Sequence, residues 1–195
     1  VEPLDLSAEI TEMQDLFRAS LPDHIQLEIH PGENPLEILA DRILVQQVLM
    51  NLVTNAMESI GNNQGTISIS TGNTRLNNRL LTRMLSAEKV DPGDFVFIAV
   101  SDTGCGMNED TKSRIFDPFF TTKFVGRGLG LSAVMGIARS HHAVIEVDSS
   151  PGKGSTMKLY FPVFTPENPS GSQNIFQTEP IRLAHRTSMR NKKPI

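Results

Sequence analysis

FVFIAVSDTGCGM, residues 95–107, decides the architecture. Its six consecutive apolar residues, Phe95 to Val100, form the longest such run in the chain. They are far too few to cross a membrane and read as a buried strand. The strand ends on a carboxylate, Asp102, and two glycines follow at once, Gly104 and Gly106. A carboxylate at a strand end is an acceptor held on a rigid element, and glycines let another group approach the backbone closely. Asp102 so placed can accept a hydrogen bond from an exocyclic amine. An Asx turn is the better reading of a D-x-G-x-G taken in isolation. Cys105, between the glycines, reads as a small bystander.

Outward from this strand the elements lack the regular β-α repeat of a doubly wound sheet. IQLEIH (25–30) and TISIS (66–70) alternate as strands. AVIEVDS (143–149) and STMKLYFPV (155–163) read as a hairpin joined by a Pro-Gly-Lys-Gly turn. Residues 41–60 form the strongest helix: Leu44, Val48, Leu49, Leu52, Ala56 and Ile60 make an apolar stripe, and Gly61 ends it. Ile10, Met13, Phe17 and Leu21 mark a helix over 7–20 capped by Ser7. Asn108 caps a short helix running to Ile115, residues 129–140 are helical, and residues 79–88 form a short helix on a surface excursion. Five strands and four helices in this order predict an α/β (α+β) two-layer sandwich, a mixed sheet with helices on one face.

Charge and composition set the boundary. Residues 165–195 carry five Lys/Arg against two acids, and residues 1–164 carry thirteen against twenty. The tail has four prolines and scattered apolar residues, too few to offset its ordering entropy. Residues 1–164 are therefore expected to be the folded domain and 165–195 a linker. The net charge of −4 argues against a bulk nucleic-acid binder. A single cysteine excludes a disulfide framework and a cysteine zinc cluster.

Three further constellations carry chemistry. Asn51 and Asn55 lie four residues apart, on one helix face beside the apolar stripe. An amide oxygen there suits a hard cation such as magnesium; surface amides bonded to a neighbouring loop would give the same pattern. FDPFFTTK (116–123) packs three phenylalanines before Lys123, a cation that could meet phosphate or simply be solvated. GRGLGLS (126–132) opens a helix with Gly126, Gly128 and Gly130, leaving free N–H groups at its positive end, a ready anion site. It matches neither the dinucleotide-binding fingerprint nor a Walker A loop.

Taken in order, NLVTNA (51–56), DTGCGM (102–107), FDPFFTTK and GRGLGLS resemble the N, G1, F and G2 boxes of the ATP-binding catalytic domain of sensor histidine kinases. The resemblance runs from about residue 3 to 164, including the closing hairpin. It implies the Bergerat, or GHKL, fold, with ATP and Mg2+ as cofactors. By match to the motifs, Asn55 is the magnesium ligand and Asn51 faces the phosphates. Asp102 takes the adenine amine, and Gly104 and Gly106 wall the base pocket. Gly126, Arg127, Gly128, Leu129, Gly130 and Leu131 form the lid and phosphate-binding helix start. Lys123 reaches the phosphates, and Ser155 or Thr156 matches a strand position near adenine. FFTTK is similar to the branch where PAS-type sensor modules are common. The 72–94 excursion is similar to hybrid kinases, which would direct the tail toward a receiver domain.

Departures from the pattern refine the expected activity. GHKL ATPases of the gyrase type carry a glutamate where this chain has Asn51, which favours phosphoryl transfer over hydrolysis. Glu58 stands where many histidine kinases have lysine, and Ala143 where the family often has glycine. None of His24, His30, His141, His142 and His185 begins an acceptor motif, so the acceptor is expected on a separate dimerisation domain, with a response regulator receiver downstream. A cytoplasmic, monomeric domain without nucleic-acid or membrane contact is expected, in a parent that membrane anchoring would not contradict. The competing classes are a GHKL ATPase and a non-enzymatic nucleotide-sensing module.

Overall fold

The structure, a computed structural model, describes residues 1–33, 37–85, 90–121 and 128–164. The elements in chain order are β1 (Glu2–Asp5), α1 (Leu6–Glu12), α2 (Gln14–Ser20), β2 (Ile25–His30), β3 (Glu37–Ala40), α3 (Arg42–Ile60), β4 (Gly65–Leu76), α4 (Asn78–Leu81), β5 (Gly93–Asp102), α5 (Glu109–Arg114), α6 (Gly130–Ser140), β6 (Val144–Ser149) and β7 (Ser155–Pro162). The five strands read from the sequence form one mixed sheet in the order β2-β4-β5-β7-β6. Only β2 and β4 run parallel; the remaining pairs are antiparallel.

Strand period sorts the two faces of the sheet. On one face Ile67, Ile69, Val96, Ile98, Val100, Leu159 and Phe161 meet the helices. From α3 come Val45, Val48, Leu49, Leu52, Val53, Ala56 and Ile60; from α1 and α2, Leu6, Ile10 and Phe17; from α6, Val134, Ile137 and Ala138. This is the expected two-layer core. On the other face Leu76, Phe95, Val144 and Tyr160 form a smaller cluster, covered by Leu81, Met84 and Val90. The excursion after β4 supplies that cover, and Leu85 pairs with Ile145 on the sheet edge. Gly72 is required there, because a Cβ at that position would fall 2.8 Å from the Phe97 ring.

Three local expectations change. The helix expected over 79–88 is a single turn, Asn78–Leu81, among the described residues. The helix over 7–20 is two helices meeting at Met13, and its cap is Asp5, which accepts from the N–H groups of Ser7 and Ala8. The Ser7 hydroxyl instead bonds Thr71 on β4, 2.7 Å away. A two-stranded ribbon, β1 with β3, is added beside the main sheet. It anchors the chain start to the end of β7, where the Phe164 N–H donates to the Glu37 carbonyl at 2.7 Å.

α3 is held at its start by charge as well as packing. Glu9 is 1% exposed; Gln46 Nε2 donates to its Oε1 at 2.7 Å, and Arg42 Nη1 stands 2.8 Å from Oε2 as an ion pair, off the line of a good hydrogen bond. Glu9 first, then Glu12 and Glu2, raise the Arg42 pKa above its ordinary value. His141 braces the same end from α6: the Asp41 N–H donates to Nε2 at 3.1 Å, and Nδ1 faces the Ile137 carbonyl at 2.8 Å. No helix among the described residues is long and apolar enough to cross a membrane. The segment 165–195, expected to be a linker, lies outside the described residues.

Candidate functional site: a cleft between two helices and a glycine-bearing loop

α3 carries its polar groups in a row. Asn51, Asn55 and Ser59 follow at four-residue steps, so they share one face. That face lies over the end of β5 and beside the start of α6, and the three elements enclose a cleft of about 680 Å3. Asn51, Asn55, Ser59, Asp102, Gly106, Gly128, Leu129, Gly130, Leu131 and Ser155 line it, with Leu52, Val100, Met107, Ile115 and Met157 as apolar walls.

At one end the Asn55 amide nitrogen donates to the Asn51 backbone carbonyl at 2.8 Å, and the amide oxygen has no hydrogen-bond partner among the described residues. Gly130 faces this pair; a Cβ there would stand 3.6 Å from Asn55 Nδ2 and 3.7 Å from Asn51 Oδ1. α6 begins without a side-chain cap, so its first N–H groups are not consumed by a capping oxygen. An uncapped helix start beside two amides is suited to an anion and the cation it carries. Gly128, at φ +64°, accepts from the Phe119 N–H at 2.9 Å, and a Cβ on it would fall 2.5 Å from Phe119 C. The FDPFF segment is thus packed against the approach to α6.

At the other end Asp102 closes an Asx turn, accepting from the Gly104 N–H at 2.8 Å. The Asx turn is therefore present, and it leaves Asp102 on the lining of the cleft. The glycines of this loop are demanded by protein rather than by open space. A Cβ on Gly104 would fall 2.1 Å from Ser59 Oγ, and one on Gly106, at φ +63°, would fall 2.0 Å from the Ser150 carbonyl oxygen. Gly154, at φ +76°, lies against the Asp102 carbonyl in the same way. The Gly152 N–H donates to the Cys105 carbonyl at 2.7 Å, and the Met107 N–H donates to Ser149 Oγ at 2.8 Å. The loop is sewn to α3 on one side and to the β6–β7 turn on the other.

The other five sequence candidates fare differently. Gly104 sits beneath the cleft wall, supporting Asp102 rather than lining the space. Thr156 stands on the opposite face of the sheet, where its hydroxyl is 2.9 Å from that of Ser101. Asp102 pairs with Ser155 across β5 and β7, and strand period turns the next residue away, so Ser155 lines the cleft in its place. Lys123, Gly126 and Arg127 lie outside the described residues. Cys105, read as a bystander, is exposed on the cleft wall. Ser59 and Gly154 were missed; the four-residue step from Asn55 was the available signal for Ser59.

The profile described as "Histidine kinase-, DNA gyrase B-, and HSP90-like ATPase" matches residues 40–165, more than half of the chain. The chain belongs to this family. Among its relatives, sensor kinase CckA of Brucella abortus is 35% identical over 163 residues, covering 83% of this chain and 17% of that protein. Sensor histidine kinase ZraS of Escherichia coli is 34% identical over 180 residues, 88% of this chain and 35% of that one. The chain thus spans about a third or less of these relatives' length. The catalytic domain of histidine kinase ThkA matches at 30% identity and TM-score 0.63, over 83% of this chain and 95% of that domain. Full-length ShkA in complex with AMPPNP shares the fold at TM-score 0.66 and 24% identity, over 84% of this chain and 31% of that one. The expected resemblance to histidine kinase catalytic domains is borne out, and the mixed sheet with its helical layer is the family's fold. Membership of this ATPase family supports ATP as the substrate of the domain.

Proposed function

We propose that this domain transfers the γ-phosphoryl group of ATP to a histidine on a separate dimerisation domain, for relay to a response regulator. The convergence of Asn51, Asn55, Asp102 and the start of α6 on one cleft carries the reading. Asp102 Oδ1 is engaged by Ser59 and Gly104, so Oδ2 is left to accept from the adenine amine. Val100, Met107 and Met157 offer apolar surface to the base. The N–H groups opening α6 and the positive end of its dipole then face the phosphates.

The residues fit a magnesium ion that arrives with the triphosphate. Asn55 offers a neutral amide oxygen, and no group of three or more His, Cys, Asp or Glu among the described residues could hold a metal alone. Magnesium is commonly held by few protein oxygens together with substrate phosphates. Bound there, it would neutralise charge on the phosphate oxygens.

Transfer breaks the bond between the γ phosphorus and its bridging oxygen, forms a bond to an imidazole nitrogen, and releases ADP. The transition state is loose, so the domain acts by positioning and by stabilising charge. Both side chains beside Gly130 are amides, which cannot take a proton from water. That chemistry favours a protein acceptor over hydrolysis.

Incubating the chain with a purified histidine-bearing hairpin domain and γ-labelled ATP tests the reading. Acid-labile label on the hairpin is the expected result. Rapid phosphate release without transfer would identify an ATPase, and binding with neither would identify a nucleotide sensor.

A further inference from the structure

Ser59 lies outside the motifs that carry the family resemblance, yet its hydroxyl makes the shortest contact to the Asp102 side chain. Ser59 Oγ is 2.6 Å from Asp102 Oδ1 and 2.9 Å from the Ala56 carbonyl. A hydroxyl has one hydrogen, and the shorter bond to an ionised acceptor is the stronger. The Gly104 N–H reaches the same Oδ1 at 2.8 Å. Oδ1 therefore has two protein donors, one from α3 and one from the loop, while Oδ2 has none among the described residues. The two elements are also locked together, because the Cys105 N–H donates to the Ser59 carbonyl at 3.0 Å. A carboxylate pinned through one oxygen presents the other at a set position and angle.

We propose that Ser59 is a positioning residue that fixes Asp102 for the amine of adenine and thereby sets the base preference of the cleft. The inference rests on the ATP reading above and adds a determinant of selectivity to it. Without the hydroxyl, Oδ1 keeps only the Gly104 N–H, and the carboxylate gains freedom to turn. A base amine would then lose a prepared acceptor. A base without the amine never used it.

The test compares ATP with purine riboside triphosphate, which lacks the 6-amino group, by calorimetric titration of the chain and of Ser59→Ala and Ser59→Thr. The wild type prefers ATP. Ser59→Ala weakens ATP by about tenfold, the scale of a lost bond to a charged group. It leaves the amine-free nucleotide within about twofold, which also reports that the variant is folded. Ser59→Thr, which keeps the hydroxyl, restores the preference. An unchanged ratio in Ser59→Ala overturns the proposal, as does equal weakening of both nucleotides, which would mark a purely structural role. A wild type that binds both nucleotides alike overturns the adenine role of Asp102 and this inference with it. A wild type with the preference and an indifferent Ser59→Ala overturns this inference alone.

Discussion

Gly106→Ala separates two reasons for a glycine in the DTGCGM loop. If the residue is small to admit a ligand, alanine should lower nucleotide affinity and leave the empty protein as stable as before. The contacts argue otherwise. Gly106 has φ +63°, which costs an L-residue about 1–2 kcal/mol. Its added Cβ would lie 2.0 Å from the Ser150 carbonyl oxygen and 3.0 Å from that of Gly154. Both are backbone atoms, so the β6–β7 turn must shift to relieve them. Overpacking of this kind costs about 1–3 kcal/mol. The sum is about 2–5 kcal/mol, which at about 2–4 °C per kcal/mol lowers Tm by at least about 4 °C. Thermal unfolding followed by circular dichroism, with no nucleotide present, measures it. An unchanged Tm together with lost ATP affinity would refute the packing argument and return Gly106 to the ligand.

Other expectations follow from neighbouring contacts. Asn55→Ala should abolish magnesium-dependent ATP binding, and Asp102→Ala should abolish binding of ATP with or without the metal; titration calorimetry reads both. Arg42→Ala should destabilise the domain by exposing buried Glu9 to a lost counter-charge, and adding Glu9→Gln should recover most of the loss in urea unfolding. Burial first, then its hydrogen bond to Glu146, raise the Tyr160 pKa well above its ordinary value. The folded state therefore holds that proton after the unfolded chain has released it. Its stabilising contribution is intact below about pH 10 and falls as pH rises further. Urea unfolding between about pH 9 and pH 11 should show a steeper decline for the wild type than for Tyr160→Phe.

Much of this fold was legible because its physics is periodic. The five sheet strands announced themselves by alternation or by an unbroken apolar run, and α3 by its stripe. The break at Met13 was hidden because hydrogen bonds from Met13 to Glu9 and from Phe17 to Met13 carry the helical spacing across it. The β1–β3 ribbon was hidden because four-residue strands, one containing Pro3, are too short to show a period. Among the cleft residues, Asp102 and the start of α6 stood out because each sits at an element end, and Asn51 and Asn55 because two amides four residues apart adjoin the apolar stripe within α3. Of the pair Ser155 and Thr156, Ser155 lines the cleft and Thr156 does not, because in a strand one residue is a change of face. The loop glycines were read as admitting a ligand, whereas the atoms that exclude a side chain at Gly104 and Gly106 are those of Ser59 and Ser150: a close backbone and a close ligand demand the same missing side chain. Ser59 carried no chemical flag of its own, since serine near a helix end is commonplace; only its distance to Asp102 gives it a role.

The β6–β7 turn looks at first like a convenient place to splice in an affinity tag or a fluorescent reporter, being exposed at Pro151, Gly152 and Lys153. Its bonds to Cys105 and Met107 make it a poor choice, because a guest sequence there would pull directly on the loop that walls the cleft.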